Sequence, residues 1–509
     1  MKIFPERLIP RVRRAYRRMK YGALVAGFSA ASTVITRIKN WVPSNRESND
    51  LIFGDGEMLR ARSRSLVREN PWACGGLDTF VANAIGTGIK PISLHPDPVI
   101  RKKIDKAFEV WTDEADAAGT CDFYGQQTQV CRAVLQDGEV FTRIRFRRPE
   151  DGLTVPLQLQ DVEADFVPYT KEDSQSPGGY TRGGIRFDIL GRRISYWMYR
   201  DHPGSGFVRD PNLYEIPADQ VLHVYEVLRP GQLRGQPWLT PAIVMLYDIK
   251  QLLDATLMRA KIANLLSFWI KRGPSGAGVL NETDNGDGTA VSGVVPGSVN
   301  YLNEGEEVMA PTPPAFNGTN ELLTDLLRAA SRALRLTEQQ FTGDMTGVNY
   351  SSARVARLEF YRTLFPYIHQ VMVFQWCRRV RKAWMDQAAL VGVIDAEDYV
   401  KNRADYLATA WEPQGQPWVD PESEVAALKS AVRSGFVSRR RVVAATGESL
   451  EQIDQENAED NKRADGLDLA YDSDGRKADK GAEAVPVPAK PGAPAPAPAK
   501  SNGKGAQLQ

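Results

Sequence analysis

Residues able to do chemistry are few in this chain of 509 residues, and their spacing does not assemble a reaction site. GPSGAG at 273–278 has glycines but lacks the Lys and Ser/Thr with which a P-loop holds phosphate and magnesium. No H-E-x-x-H or G-x-S-x-G run is present. DNGDG at 284–288 suggests a calcium loop. Counted in loop register from Asn281, however, the twelfth position is Ser292 and not the bidentate Glu that calcium requires. Cys74, Cys121, Cys131 and Cys377 show no C-x-x-C spacing, and four Cys in so long a chain do not make a disulfide framework. His95, His202, His223 and His369 are scattered, and His223 reads as a hydrogen-bonded structural residue in a strand. Glu306 and Glu307 are adjacent carboxylates with no basic neighbour in sequence. The inventory calls for no catalytic residue, metal or cofactor.

The elements around these residues are better defined. Residues 55–92 read as helix, interrupted at Asn70–Pro71, because the residue before Pro is pushed out of helical geometry, and ended by Gly86 and Gly88. Helices are expected over 99–118, with Ile104, Phe108 and Trp111 at helical spacing, and over 125–136. From EVFTRIRFR at 139–147 the pattern alternates, and 139–228 reads as β-rich, with a hairpin turn at Leu190–Gly191–Arg192. A long helix is expected at 241–270 and another at 321–336. Between them, residues 273–327 hold no Lys or Arg at all, only acids, turn residues and short strand patterns. Residues 337–352 read as a polar, Gly-bearing loop. A long aromatic-rich helix follows at 351–391 and should be kinked by Pro366. Helices at about 421–434, 438–446 and 448–464 precede a Pro/Ala/Lys tail expected to be disordered.

Charge narrows the function classes. With 64 Lys+Arg against 63 Asp+Glu, the net charge of +1 argues against a uniformly basic nucleic-acid-gripping surface. Only residues 1–20 are strongly basic, and the apolar stretch at 21–35 is too short and too polar to span a membrane. A hydrophobic fraction of 42% and a charged fraction of 25% permit ordinary folded domains, and the sparse Cys suit a reducing cytoplasm.

Four stretches, in order, carry a resemblance: LRARSRSLVRENPWACGGLDTFVANAIGTGIKP at 59–91, RPGQLRGQPWLTPAI at 229–243, FTGDMTGVNYSSARVARLEFYR at 341–362, and WVDPESEVAALKSAVRSGFVSRRRVVAATG at 418–447. Together they resemble the lambda-type portal protein family of tailed bacteriophages. The resemblance implies an α+β portal-protein fold, with a helical and β-rich wing, a two-helix stem, a small α/β clip and a helical crown. In this chain it implies a wing at 51–240, stem helices at 241–270 and 321–336, an acidic clip at 271–320, a tunnel loop at 337–352, a kinked helix and wing return at 353–415, and a crown at 416–465. The basic N-terminal arm, placed at 1–50, and the Pro/Ala-rich tail at 466–509 depart from the family pattern and are read from composition alone.

What the resemblance implies about function is passage, not catalysis. Copies of the chain, usually twelve, form a ring at one capsid vertex through which double-stranded DNA is packaged and ejected. Terminase, the major capsid or scaffold protein, and head-completion and tail proteins are its partners, with no membrane. The protein is then expected in the virion, and in the host cytoplasm during assembly. Tunnel-loop candidates facing DNA are Thr342, Asp344, Met345, Thr346, Asn349 and Tyr350. Arg328, Arg332 and Arg335, at i, i+4 and i+7, are candidates for a basic channel band, against a reading in which they pair with acids of a neighbouring subunit. Glu282, Asp284, Asp287, Glu304, Glu306 and Glu307 are candidates for an acidic tip that docks the motor. Two other readings stay open: a terminase-like packaging enzyme, which should carry an ATP-binding loop, and a non-ring nucleic-acid-binding module, which should carry a basic domain.

Overall fold

The computed structural model describes residues 45–174, 178–264, 318–415, 421–446 and 450–469, with four short strands between 269 and 309. The chain divides into two compact units, residues 1–421 and 422–509.

The first unit is α+β. Its N-terminal part packs α1 (Ser48–Glu69) and α2 (Pro71–Ala84) on α3 (Pro98–Thr112) and α4 (Phe123–Asp137). The break at Asn70 has two causes. The residue is extended ahead of Pro71, and its side-chain oxygen accepts from the amides of Trp72 and Ala73, so one residue both stops α1 and caps α2. Gly138 closes α4 in left-handed geometry and turns the chain into the strand that starts at Glu139.

Two antiparallel sheets follow. β2 (Glu139–Phe146) lies between β3 (Leu157–Val162) and β8 (Val221–Tyr225). The second sheet runs β4 (Gly179–Arg182), β5 (Ile185–Asp188), β6 (Arg193–Tyr199) and β7 (Leu213–Pro217), each paired with the next. The turn between β5 and β6 uses Gly191 at φ +79, with Asp188 Oδ1 accepting from the amides of Leu190 and Arg192. A further strand, β1 (Lys90–Ser93), pairs with Thr409–Glu412.

The main hydrophobic core gathers Trp111, Phe108, Phe123, Trp376 and Trp384, all fully buried, and reaches across to Leu246 and Ile249. These last two lie on α5 (Ile243–Asn264). One face of its first turns is buried, whereas Asp254–Lys261 is exposed throughout, with Leu257 and Met258 both more than half accessible. A second core fills the space between the sheets, around Phe141, Phe187, Tyr196 and Met198.

Within the acidic stretch, Trp269–Lys271 pairs with Glu307–Met309, and Thr283–Asp284 with Ala290–Val291. That register sets Glu307 opposite Lys271. Glu307 is therefore not remote along the backbone from every basic residue, as its sequence neighbours suggest; strand pairing sets it across from Lys271.

Helix α6 (Thr319–Ala333) is shorter than the expected 321–336 at its far end. A Schellman motif stops it: Leu336 N–H donates to Ser331 O at 3.0 Å and Arg335 N–H to Arg332 O at 3.2 Å, with Arg335 left-handed at φ +58. The expected loop at 337–352 is also shorter. Thr337 and Gln340 form a reciprocal capping box that starts the short helix α7 (Glu338–Thr342), and α8 (Tyr350–Tyr367) starts at Tyr350, so the loop proper is 343–349.

Pro366 lies within α8, and a π-helical segment, Ile368–Cys377, joins α8 to α9 (Arg378–Leu390). Proline lacks the amide that an α-helix would use there and crowds the carbonyl four residues back. The hydrogen-bond register widens to five residues just after the proline, from Ile368. The second unit contains helices Pro421–Arg433, Arg439–Ala444 and Leu450–Gly466. Ser438 caps the middle one and an Arg439–Asp454 ion pair joins the last two. No described helix is long and apolar enough to cross a membrane.

Candidate functional site

The loop 343–349 is fixed at both ends and exposed in its middle. Gly343, at φ +74, terminates α7, where Thr342 Oγ1 donates to Glu338 O at 2.8 Å. Asp344 accepts from Thr346 N–H at 2.8 Å, and Thr346 holds its carboxyl below the usual range. Met345 is 63% exposed and Val348 N–H returns to its carbonyl at 3.2 Å. At the far end Asn349 caps α8: its Oδ1 accepts from Ser352 N–H at 2.9 Å, and Ser352 Oγ accepts from Asn349 N–H at 3.1 Å. Thr342, Asp344, Met345, Thr346, Asn349 and Tyr350 therefore cluster, but in three roles: Thr342 ends a helix, Asn349 and Tyr350 begin one, and only Asp344, Met345 and Thr346 lie in open loop.

The three arginines do not share one helix face. Arg328 is exposed on α6 and bonds Glu338 at 2.9 Å, with Asp325 at 3.4 Å. Arg332 is exposed on the same helix and forms no ion pair among the described residues. Arg335 has left the helix. Its guanidinium grips both oxygens of Glu226 at 2.7 and 2.8 Å and lies 4.2 Å over the Trp238 ring. The heptad-like spacing fails because the Schellman turn redirects the backbone before Arg335. The acids that engage Arg328 and Arg335 belong to the same chain.

Of the acidic-tip candidates, Glu282, Asp287, Glu304 and Glu306 lie outside the described residues. Asp284 and Glu307 are placed by backbone alone, in their short strands.

Sequence reasoning missed the buried ionic network that joins the two sheets of the β-rich part. Glu139, at the start of β2, is fully buried and accepts from Arg234 Nε at 2.9 Å and from Gly235 N–H at 2.9 Å. His223 Nε2 lies 2.9 Å from its other side, and Tyr169 Oη donates to it at 3.2 Å. Arg234 also donates to the carbonyls of Gly183 at 2.7 Å and Val167 at 3.0 Å. Burial opposes ionisation of Glu139, but Arg234 and His223 outweigh it and hold the carboxyl far below its usual range. With Arg234 already balancing that charge, burial pushes the His223 imidazole down to about 3. His223 is thus the hydrogen-bonded structural residue its strand position suggests.

This network explains RPGQLRGQPW chemically. Gln232 ties the loop to itself by donating to Arg234 O at 2.8 Å and accepting from Leu228 N–H at 2.9 Å. Gly235 is required because a Cβ there would stand 2.0 Å from the Gly138 carbonyl oxygen. Both glycines flank the carboxylate they help to seal.

Among the described residues, Glu163, Asp165 and His202 come close enough to share a metal ion. Arg64 reaches Glu163 at 2.9 Å and Asp165 at 2.8 Å, and Arg60 reaches Asp165 at 3.0 Å. The two guanidiniums already neutralise the carboxylates, so the cluster is an ion-pair knot joining α1 to the β-rich part.

Against this geometry, residues 35–365 match the family described as phage portal protein, lambda family. The match covers more than half of the chain, and the chain belongs to that family. A probable portal protein of Halomonas phage phiHAP-1 is 25% identical over 451 residues, spanning 84% of this chain and 85% of its own. Among solved structures, the neck of an empty GTA particle aligns with 76% of this chain and 93% of its own at 14% identity and a TM-score of 0.46. An HK97-family phage portal protein from Corynebacterium diphtheriae aligns with 62% of this chain and 86% of its own at 14% identity and a TM-score of 0.28.

Proposed function

We propose that copies of this chain close into a ring at one capsid vertex and that duplex DNA is packaged and ejected through its axis. The observation that carries this reading is the family match over residues 35–365, which includes both helices flanking the acidic stretch and the loop at 343–349. Apolar side chains left exposed on a single chain support closure of a ring. Leu257 and Met258 on α5, and Val355 and Leu358 on α8, are each more than half accessible. A heterologous interface, repeating two different patches around an axis, would cover them.

Loop 343–349 is the segment proposed to face DNA. Its anchored ends and exposed, mostly uncharged middle let it follow a moving duplex without a fixed base contact. The acidic stretch at 273–320 is proposed to dock the terminase motor and later the head-completion proteins, with carboxylates steering a basic partner. Electron imaging of the purified chain tests the ring; a single subunit under every assembly condition refutes it. Binding of the motor to the ring should weaken as salt is raised, and a salt-insensitive complex refutes the electrostatic docking.

A further inference from the structure

Between the two sheets lies a cleft of about 480 Å3 whose lining includes Arg143, Arg145, Arg200, Arg209 and Glu215. The arginines come from two directions. Arg143 and Arg145 alternate on one face of β2, whereas Arg200 and Arg209 flank the loop that connects β6 to β7. Four guanidiniums converge on one cleft, and a single lining carboxylate answers them.

That carboxylate is already engaged: Glu215 Oε1 accepts from Arg186 at 2.7 Å and from Ser195 Oγ. Arg209 is paired with Asp201 at 2.7 Å, and Arg200 stands 4.0 Å from Asp210 while stacking on Tyr214. Among the described residues Arg145 finds only a neutral partner, the Gln160 amide oxygen at 2.9 Å. Arg143 forms no ion pair among the described residues, and its buried Nε has no hydrogen-bond partner there. Burial, then repulsion from Arg145 and Arg200, lowers its pKa to about 10. Two neighbouring cations half withdrawn from water, without a counter-charge, destabilise the cleft when it is empty.

We infer that this cleft is an oxyanion site, in which the forked donors of Arg143 and Arg145 hold a phosphate or carboxylate group. Planar guanidiniums present paired N–H donors that match such oxygens, and the anion removes the repulsion among the arginines. The group comes either from a free anion or from an acidic side chain of a second copy of this chain. The inference concerns the sheets alone and stands whether or not the proposed DNA channel is correct.

Thermal unfolding of the full chain in inorganic phosphate and in chloride, at matched ionic strength, tests it. At a phosphate concentration near 100 times the dissociation constant, the unfolding constant should fall about 100-fold relative to chloride. R143Q/R145Q should lose this response while unfolding in chloride no more readily than the wild type, because the substitutions relieve repulsion. R147Q, whose side chain bonds Gln158 and lies outside the cleft lining, should keep the response. If the double variant does not fold, R145Q alone should weaken the phosphate response about tenfold, the scale of one charged hydrogen bond.

Assembly distinguishes the two sources. With a free anion, R143Q/R145Q assembles as the wild type does. With an acid from a second copy, the double variant assembles poorly, and phosphate competes with wild-type assembly. A wild type that does not distinguish phosphate from chloride, together with a double variant that assembles normally, overturns the site.

Discussion

Arg234 balances a carboxylate that no water reaches, so its removal should be far more damaging than the loss of a surface arginine. R234A removes the guanidinium closest to Glu139 and leaves the buried carboxylate only the more distant Arg60, at 3.7 Å, as a counter-charge, so it should destabilise the first unit by about 3–5 kcal/mol in urea unfolding. Two buried groups nearby respond to pH in opposite directions. His223 titrates near 6.5 in the unfolded chain and at about 3 in the folded one. Between those values the unfolded chain binds the extra proton, so stability falls as pH drops from 6.5. From pH 7 to pH 5 the wild type should lose about 1–2 kcal/mol more than H223Q. Asp161 behaves oppositely: burial, aided by Asp116, pushes its carboxyl up to about 7 despite the hydrogen bond from Thr142. Its folded pKa is raised, so its favourable contribution is present at low pH and lost as pH rises through 7. D161N should therefore unfold at higher urea than the wild type at pH 8 and lose that advantage by pH 4.

Helix packing explains why adjacent glycines in ENPWACGG are not equivalent. A Cβ on Gly76 would stand 2.9 Å from Leu334 and from the Phe341 ring, where the end of α6 and the whole of α7 seat on α2. A Cβ on Gly75 meets nothing within 4 Å. G76A should cost about 1–3 kcal/mol through overpacking, whereas G75A should stabilise the helix by about 0.5–1 kcal/mol, both read by thermal unfolding. The Schellman turn at Arg335 allows a similar comparison. R335A loses the Glu226 pair but keeps a Cβ in left-handed geometry, while R335G also relieves that strain, so R335G should be about 1 kcal/mol more stable than R335A. These elements separate what local sequence reveals from what it does not. The Asn70–Pro71 break, the Gly191 hairpin and the helix register of Ile104, Phe108 and Trp111 are encoded within a few residues, and the sequence reading found them. The early stop of α6 was missed because Arg, unlike Gly, does not advertise a left-handed residue; the distant Glu226 and Trp238 hold it there. Glu139 and Arg234 were missed for the same reason, being 95 positions apart with no local pattern joining them. At the loop, the polar Gly-bearing character was legible. Its true length was not, because the Thr337–Gln340 capping box carves a helix out of its first third.

At the scale of the whole molecule, the proposed passage of DNA depends on weak attraction. A formal charge of +1 on 509 residues leaves little general affinity for phosphate, so any affinity must come from a few positions, each repeated by the ring. Loop 343–349 is sensitive in this respect. It carries one charge, that of Asp344, and its centre is open to solvent. Thr346 donates its amide to Asp344 and is not in either flanking helix, so T346K should leave the fold intact while adding one exposed cation per subunit. Each new phosphate contact should steepen the fall of log affinity with log salt by about 0.9. A T346K ring should therefore retain duplex DNA at salt concentrations that release it from the wild type, and should package more slowly at low salt, with the two rates converging as salt is raised. D344N/T346K probes the same idea without Asp344 as a local counter-ion, and should retain DNA more strongly than T346K. If both variants form rings whose DNA retention and packaging rate match the wild type at every salt concentration, the duplex does not run past this loop.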